Sequence, residues 1–145
     1  MSFQFSLQKL LELKEREKKE AEENYQSSRS TFEEMGTQLY ELLKAKEEME
    51  ADYNEKLKNG VAILELQQAE SALMTMKTRI LQAQSKTNEA RDLMYQQEEQ
   101  VQKAAVEVKK YERMKAMKRQ QYEETIKKHE EQQMDEIATQ LYAMR

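Results

Sequence analysis

Residues able to perform covalent, acid–base or metal chemistry are scarce in this sequence. It has 145 residues, one histidine (His129) and no cysteine, which excludes a thiolate metal site and leaves no Cys–His or Ser–His pair with an orienting partner. Glu130 follows the histidine, but the second histidine of an H-E-x-x-H zinc motif is missing. Gly36 and Gly60 are too far apart to form a phosphate-binding loop. We therefore expect neither an enzyme nor a bound cofactor or metal.

A basic cluster between residues 109 and 119 could instead bind a partner. Glu112 is the only acidic residue in this stretch. The cluster fits either a solvated helix face or an electrostatic match to an acidic protein surface. Acidic residues follow between 123 and 136, and the formal net charge is −4, so no nucleic-acid partner is expected. The cluster consists of Lys109, Lys110, Arg113, Lys115, Lys118 and Arg119.

The composition indicates an all-α chain. There is no proline and there are only two glycines, although the turns of β and α/β folds depend on such residues. Charged residues make up 36% and hydrophobic residues 38% of the chain, which favours a thin structure that buries one stripe over a rounded core. No window approaches the roughly 18 apolar residues of a membrane-spanning helix, and no signal peptide is recognisable. We expect a cytoplasmic protein without direct membrane insertion.

Apolar residues in the first part of the chain recur with the 3.5-residue spacing of a coiled coil. We call this stripe seam 1. Gly36 lies within it, and we expect the helix to tolerate this glycine. The a positions are Leu11, Lys18, Tyr25, Phe32, Leu39, Lys46 and Tyr53, and the d positions are Leu7, Lys14, Ala21, Ser28, Met35, Leu42, Met49 and Lys56.

The pair Asn59-Gly60 interrupts seam 1, and a glycine just after a helix commonly adopts the left-handed conformation. A second stripe, seam 2, follows in a new register. The pattern predicts helices over about 5–57 and 63–143, a turn at about 58–62, and a single antiparallel coiled-coil hairpin over residues 1–145. The seam 2 a positions are Leu66, Leu73, Ile80, Thr87, Met94, Val101 and Val108, and the d positions are Ala69, Met76, Ala83, Ala90, Gln97, Ala104 and Tyr111.

The predicted helices differ in length, which leaves the end of the second without a partner. With the turn at 58–62, residue i opposes a residue near 120 − i, so about 25 C-terminal residues face nothing within the chain at 1.5 Å per residue. An exposed helix gains little from packing, so this segment is either frayed or docked into another protein. It carries a fresh apolar stripe, the C-terminal stripe, formed by Met134, Ile137, Leu141 and Met144.

The N-terminal residues are more apolar than one seam requires. The same arithmetic places them beside the basic cluster. One end of the hairpin is then both apolar and positively charged, which suits insertion into another protein. The apolar residues are Phe3, Phe5, Leu7, Leu10, Leu11 and Leu13.

Four short stretches, spread over nearly the whole chain, match the sequence pattern of a known protein family. The chain resembles the flagellar export protein FliJ family, soluble components of the flagellar type III export apparatus. The matching stretches are Leu10-Leu11-Glu12-Leu13-Lys14, Asn59-Gly60-Val61-Ala62, Val108-Lys109-Lys110-Tyr111-Glu112-Arg113, and the end from Met134-Asp135-Glu136-Ile137-Ala138 to Ala143-Met144-Arg145.

The resemblance implies a stalk whose paired N- and C-terminal end projects into the pore of the hexameric export ATPase and favours ring assembly and activity. It also implies contacts with the cytoplasmic domain of the export gate, through Gln38 and Leu42, and with export chaperones. For the ATPase contact it points to Phe5, Leu10, Leu13, Arg113, Met117, Met134, Asp135, Glu136 and Ile137. The basic cluster adds Lys115, Lys118 and Arg119 to this group, and the C-terminal stripe adds Leu141.

Other functions fit the same pattern. One is the stalk of a virulence type III secretion system, another a self-associating coiled-coil spacer, and a third a nucleic-acid-binding helical protein. The hairpin predicts an elongated monomer when free, whereas a spacer predicts a dimer that resists dilution. The resemblance implies a cytoplasmic location, peripheral to the inner-membrane export apparatus.

Overall fold

A computed structural model of the chain describes residues 2–144 and contains two helices in this range. Helix α1 runs over Gln8–Asn59 and helix α2 over Ile63–Ala143. The predicted all-α fold, an antiparallel coiled-coil hairpin, is confirmed. Helix α1 begins at Gln8 and not near residue 5, because a turn precedes it. The Phe5 carbonyl accepts a hydrogen bond of 3.0 Å from the Gln8 N–H and closes this turn.

The chain divides into two compact units, and each packs a part of α1 against a part of α2. The terminal unit comprises the residues up to Glu20 and those from Gln102 onward, and the middle unit comprises Ala21–Val101. The terminal unit also contains residues 2–7, which precede α1 and which we call the N-terminal strap.

Both predicted seams are found in the structure. Every seam 1 position from Leu7 to Lys56 and every seam 2 position from Leu66 to Tyr111 is buried or half-buried. In the middle unit, Thr87 Oγ1 lies 3.3 Å from the Met35 carbonyl oxygen across the seam and 2.7 Å from the Ala83 carbonyl oxygen within α2. The period of the apolar residues therefore determines which faces of α1 and α2 meet.

Four lysines occupy seam positions and are half-buried. Their aliphatic stems can cover apolar surface while the ammonium groups stay at the edge of the seam. Three of the ammonium groups lie near carboxylates on the same helix, at 3.3 Å for Lys14 and Glu17, 3.6 Å for Lys46 and Glu50, and 3.4 Å for Lys56 and Asp52. Lysine is thus compatible with the seam because only its stem has to be buried.

The turn of the middle unit is built around Gly60. Its φ of 78° lies in the left-handed region, as the Asn59-Gly60 pair predicts. The first turn of α2 closes on the Ala62 carbonyl, which accepts hydrogen bonds from the Glu65 and Leu66 N–H groups. Close to the turn, the Tyr53 hydroxyl donates a hydrogen bond of 2.8 Å to Glu70 and joins the two helices. This bond to a carboxylate raises the pKa of Tyr53 above its ordinary value.

The two glycines predict opposite effects of the same substitution. A Cβ at Gly36 meets nothing within 4 Å, so Gly36→Ala should raise the free energy of unfolding by about 0.5–1 kcal/mol through helix propensity. Gly60→Ala should lower it by about 1–2 kcal/mol, because alanine is strained at positive φ. Urea unfolding followed by far-UV circular dichroism measures both. Changes of the same sign in the two variants would contradict this assignment.

Candidate functional site

The N-terminal strap and α2 share the core of the terminal unit. Phe5 of the strap, Leu11 of α1 and Val108 of α2 are buried together. Half-buried side chains surround this cluster, and they come from the strap and from α2. They are Phe3, Leu7, Tyr111 and Met114.

The strap also contacts α2 beyond the end of α1. The rings of Phe3 and Tyr122 lie with their centroids 5.6 Å apart and their planes tilted by 45°, a separation typical of favourable aromatic pairs. A groove of about 710 Å³ opens beside the strap. Its lining combines aromatic, polar and basic side chains, namely Phe3, Gln4, Phe5, Ser6, Gln8, Lys9, Glu12, Lys115 and Arg119.

The basic cluster lies on the surface of the same unit. Its members are exposed except Lys115, which is half-buried. The Arg119 Nε lies 3.4 Å from the Glu123 carboxylate, and the Lys110 ammonium lies 5.9 Å from the centroid of the Tyr111 ring. Such exposed pairs contribute little to stability. The cluster therefore leaves its positive charge available to solvent or to a partner.

Beyond the strap, α2 has no cover from the rest of the described chain. All residues from 127 to 143 are exposed. Among them are the apolar side chains of Met134, Ile137 and Leu141. The C-terminal stripe is thus presented on a helix without intrachain packing.

The structure locates every residue that the sequence suggests for ATPase contact within the terminal unit. Phe5 belongs to the core of that unit. Leu10 and Lys115 are half-buried. The exposed members are Leu13, Arg113, Met117, Lys118, Arg119, Met134, Asp135, Glu136, Ile137 and Leu141.

The two residues suggested for the gate lie together in the middle unit. Gln38 is exposed, and Leu42 is half-buried at a d position of seam 1. Both line a shallow groove of about 200 Å³ between α1 and α2. The other lining residues are Met35, Arg79, Gln82, Ala83 and Lys86, so the groove is basic along its α2 side.

Tyr122 is a surface residue that the sequence reasoning did not select. A signal was present, because continuing the a positions of seam 2 from Val108 leads through Lys115 to Tyr122. Both of these residues are half-buried. Seam 2 therefore extends past Tyr111, and the strap replaces α1 as its partner there.

Residues suited to metal binding are dispersed. Among residues 2–144, no group of three or more His, Asp or Glu side chains is arranged to hold a metal ion. His129 is exposed, and its Nε2 lies 3.3 Å from the Gln133 side-chain nitrogen. The exposed surface of the terminal unit combines apolar and basic side chains.

Comparison with known proteins decides the family. The family model described as flagellar FliJ protein matches residues 3–145. A flagellar FliJ protein of Bacillus subtilis (strain 168) is 34% identical over 138 residues, which cover 95% of this chain and 94% of the relative. The chain belongs to the flagellar FliJ protein family. A solved structure of a YscO homolog from Chlamydia trachomatis is similar over 99% of this chain and 97% of its own, with a TM-score of 0.49 and 17% identity.

Membership of the FliJ family confirms the resemblance found in the sequence. It places the chain in flagellar type III protein export, a form of protein transport. Members of the FliJ family are non-catalytic export components.

The contact between strap and α2 predicts an energetic coupling. In a double-mutant cycle of Phe3→Ala and Tyr122→Ala, the two substitutions should be coupled by about 0.5–1.5 kcal/mol in the free energy of unfolding. The pair Phe3→Ala and Tyr95→Ala is a suitable control, because Tyr95 is exposed in the middle unit. Equal coupling in the two cycles would mean that Phe3 does not stabilise the strap through Tyr122.

Proposed function

We propose that this FliJ-family chain is the non-enzymatic stalk of the flagellar export apparatus. It inserts its paired N- and C-terminal end into the hexameric export ATPase and promotes the assembly and activity of that hexamer. The observation that carries the proposal is the exposed end of α2, where the apolar side chains of Met134, Ile137 and Leu141 have no cover within the described chain. Apolar side chains kept in helical register on an exposed helix suit a helix-binding groove or pore.

The charge of the terminal unit supports the same partner site. Arg113, Lys118 and Arg119 are exposed close in sequence to the exposed Met117. Positive charge around an apolar contact speeds the encounter with an acidic surface, and the apolar contact then retains the complex. The basic cluster and the C-terminal stripe thus have separate roles, in association and in retention.

The groove with Gln38 and Leu42 in the middle unit is the proposed contact for the cytoplasmic domain of the export gate. Lys86 and Arg79 on its α2 side favour an acidic partner segment. Export chaperones are further proposed partners.

None of the helices described in residues 2–144 has the length and hydropathy of a membrane span. We place the protein in the cytoplasm, peripheral to the inner-membrane export apparatus.

The free protein is proposed to be a monomer. Both seams are buried or half-buried at all predicted positions within a single chain. A second copy would therefore find no unfilled a and d positions there to pair with, which distinguishes the stalk from a self-associating spacer.

The proposal predicts that the C-terminal stripe is needed for stimulation of the cognate export ATPase. Ile137→Asp combined with Leu141→Asp should reduce stimulation at least tenfold, because two apolar contacts are replaced by carboxylates that resist desolvation. ATP hydrolysis by the hexamer, titrated with the variant, measures the effect. Helicity by circular dichroism should remain nearly unchanged, since neither residue is packed within the chain.

A matched control adds the same charges on the opposite face of this helical segment. Gln132→Asp combined with Thr139→Asp changes two exposed residues that are seven positions apart and share one face, and these lie well over a quarter turn from the stripe at 3.6 residues per turn. This control should stimulate the ATPase like the unmodified chain. Unaltered stimulation by the Ile137 and Leu141 variant would count against the docking role.

The basic cluster predicts a kinetic effect. Reversing the charges of Lys115, Lys118 and Arg119 to Glu should lower the association rate with the ATPase about tenfold at low salt, while the dissociation rate changes less. Stopped-flow or surface-based kinetics at several salt concentrations would measure both rates. Added salt should slow the unmodified chain in the same way, because it screens exposed charges.

The control for this experiment carries the same change in net charge elsewhere. Lys44, Lys58 and Lys77 are exposed and belong to the middle unit, so their reversal to Glu should leave the association rate nearly unchanged. An association rate that is insensitive to salt would refute the electrostatic part of the proposal.

A further inference from the structure

The methionines among residues 2–144 fall into two classes of exposure. The chain has ten methionines and no cysteine, so thioethers are its only oxidisable sulfur groups. Met74, Met117, Met134 and Met144 are exposed. An oxidant has to reach the sulfur atom, so these should react before the half-buried ones, which are Met35, Met49, Met76, Met94 and Met114.

Among the exposed methionines, Met134 and Met144 lie in the C-terminal stripe, and Met134 is the one at the start of the stripe, followed by Ile137 and Leu141. Its exposed fraction is 66%, and Ile137 and Leu141 follow at 51% and 62%. Residues three and seven positions apart lie on one side of a helix, so Met134 begins an apolar surface that continues through Ile137 and Leu141. All residues from 127 to 143 are exposed, and nothing in the described chain shields its sulfur.

We propose that Met134 is an oxidation site through which peroxide weakens docking of the C-terminal stripe. In the reaction, the thioether sulfur attacks one oxygen of hydrogen peroxide, the O–O bond breaks and an S–O bond forms. The second oxygen leaves as water with both peroxide protons. Sulfur loses two electrons and the peroxide gains them, so no further reactant is required.

Oxidation makes the Met134 side chain more polar. The effect of this change on docking rests on the proposed function of the C-terminal stripe. A sulfoxide is polar and accepts hydrogen bonds, whereas a thioether is apolar and adaptable. Burying an unpaired acceptor at an apolar contact is unfavourable, and we expect affinity to fall about tenfold or more. Methionine sulfoxide reductases reverse the reaction, so the effect is a reversible switch and not damage alone.

The test treats the full chain with graded hydrogen peroxide, maps each methionine by peptide mass spectrometry and measures affinity for the cognate export ATPase hexamer. Met74 is the matched control, because it is 69% exposed but lies in the middle unit. Oxidised Met134→Leu should keep its affinity, whereas oxidised Met74→Leu, Met117→Leu and Met144→Leu should lose it as the unmodified chain does. Met134→Gln should be weaker without peroxide.

Recovery of affinity after treatment with both sulfoxide reductases completes the expected pattern. Unchanged affinity of the oxidised chain, when mass spectrometry shows Met134 converted, would overturn the inference and leave the proposed function intact. Protection by Met117→Leu and not by Met134→Leu would also overturn it. An untreated chain that fails to bind the ATPase at all would refute the proposed function and this inference together.

Discussion

The a and d residues of the two seams bury one another, and this packing limits where apolar side chains can be covered. Helix α1 has 52 residues and helix α2 has 81. Because one helix can cover only the part of the other that lies opposite, the longer helix must have residues without a helical partner. The exposed C-terminal stripe is therefore a direct consequence of unequal helix lengths, and it needs no separate structural device.

In the terminal unit, the N-terminal strap covers a part of α2 that α1 does not reach. Residues 2–7 are not helical, yet Phe5 and Phe3 still cover α2 at Val108 and Tyr122. The strap thus provides cover for α2 that does not come from a helix. Full exposure of α2 begins only beyond Ile126.

The seams could be predicted residue by residue because they are periodic. Even Lys14 and Lys46 occupy the predicted positions, and Gly60 could be recognised as the turn because the Asn59-Gly60 pair stands where seam 1 ends. The start of α1 and the contact of Phe3 with Tyr122 could not be predicted, since the strap has no period and its path depends on the shape of α2. For the same reason the sequence suggested Phe5 as a partner contact, although its ring lies in the core. Burial there is decided by the direction of the strap.

The end of α2 can remain helical without a core because helix formation is limited by nucleation. An isolated helix of this length is marginal in water, since fixing the first turn is unfavourable and each further residue adds little. The packed part of α2 already supplies the nucleus, and the chain has no proline to interrupt propagation. A stripe held in helical register before it meets a partner loses less conformational entropy on binding than a disordered segment would. The two seams thus do more than hold α1 and α2 together, because they also preorganise the surface that they leave uncovered.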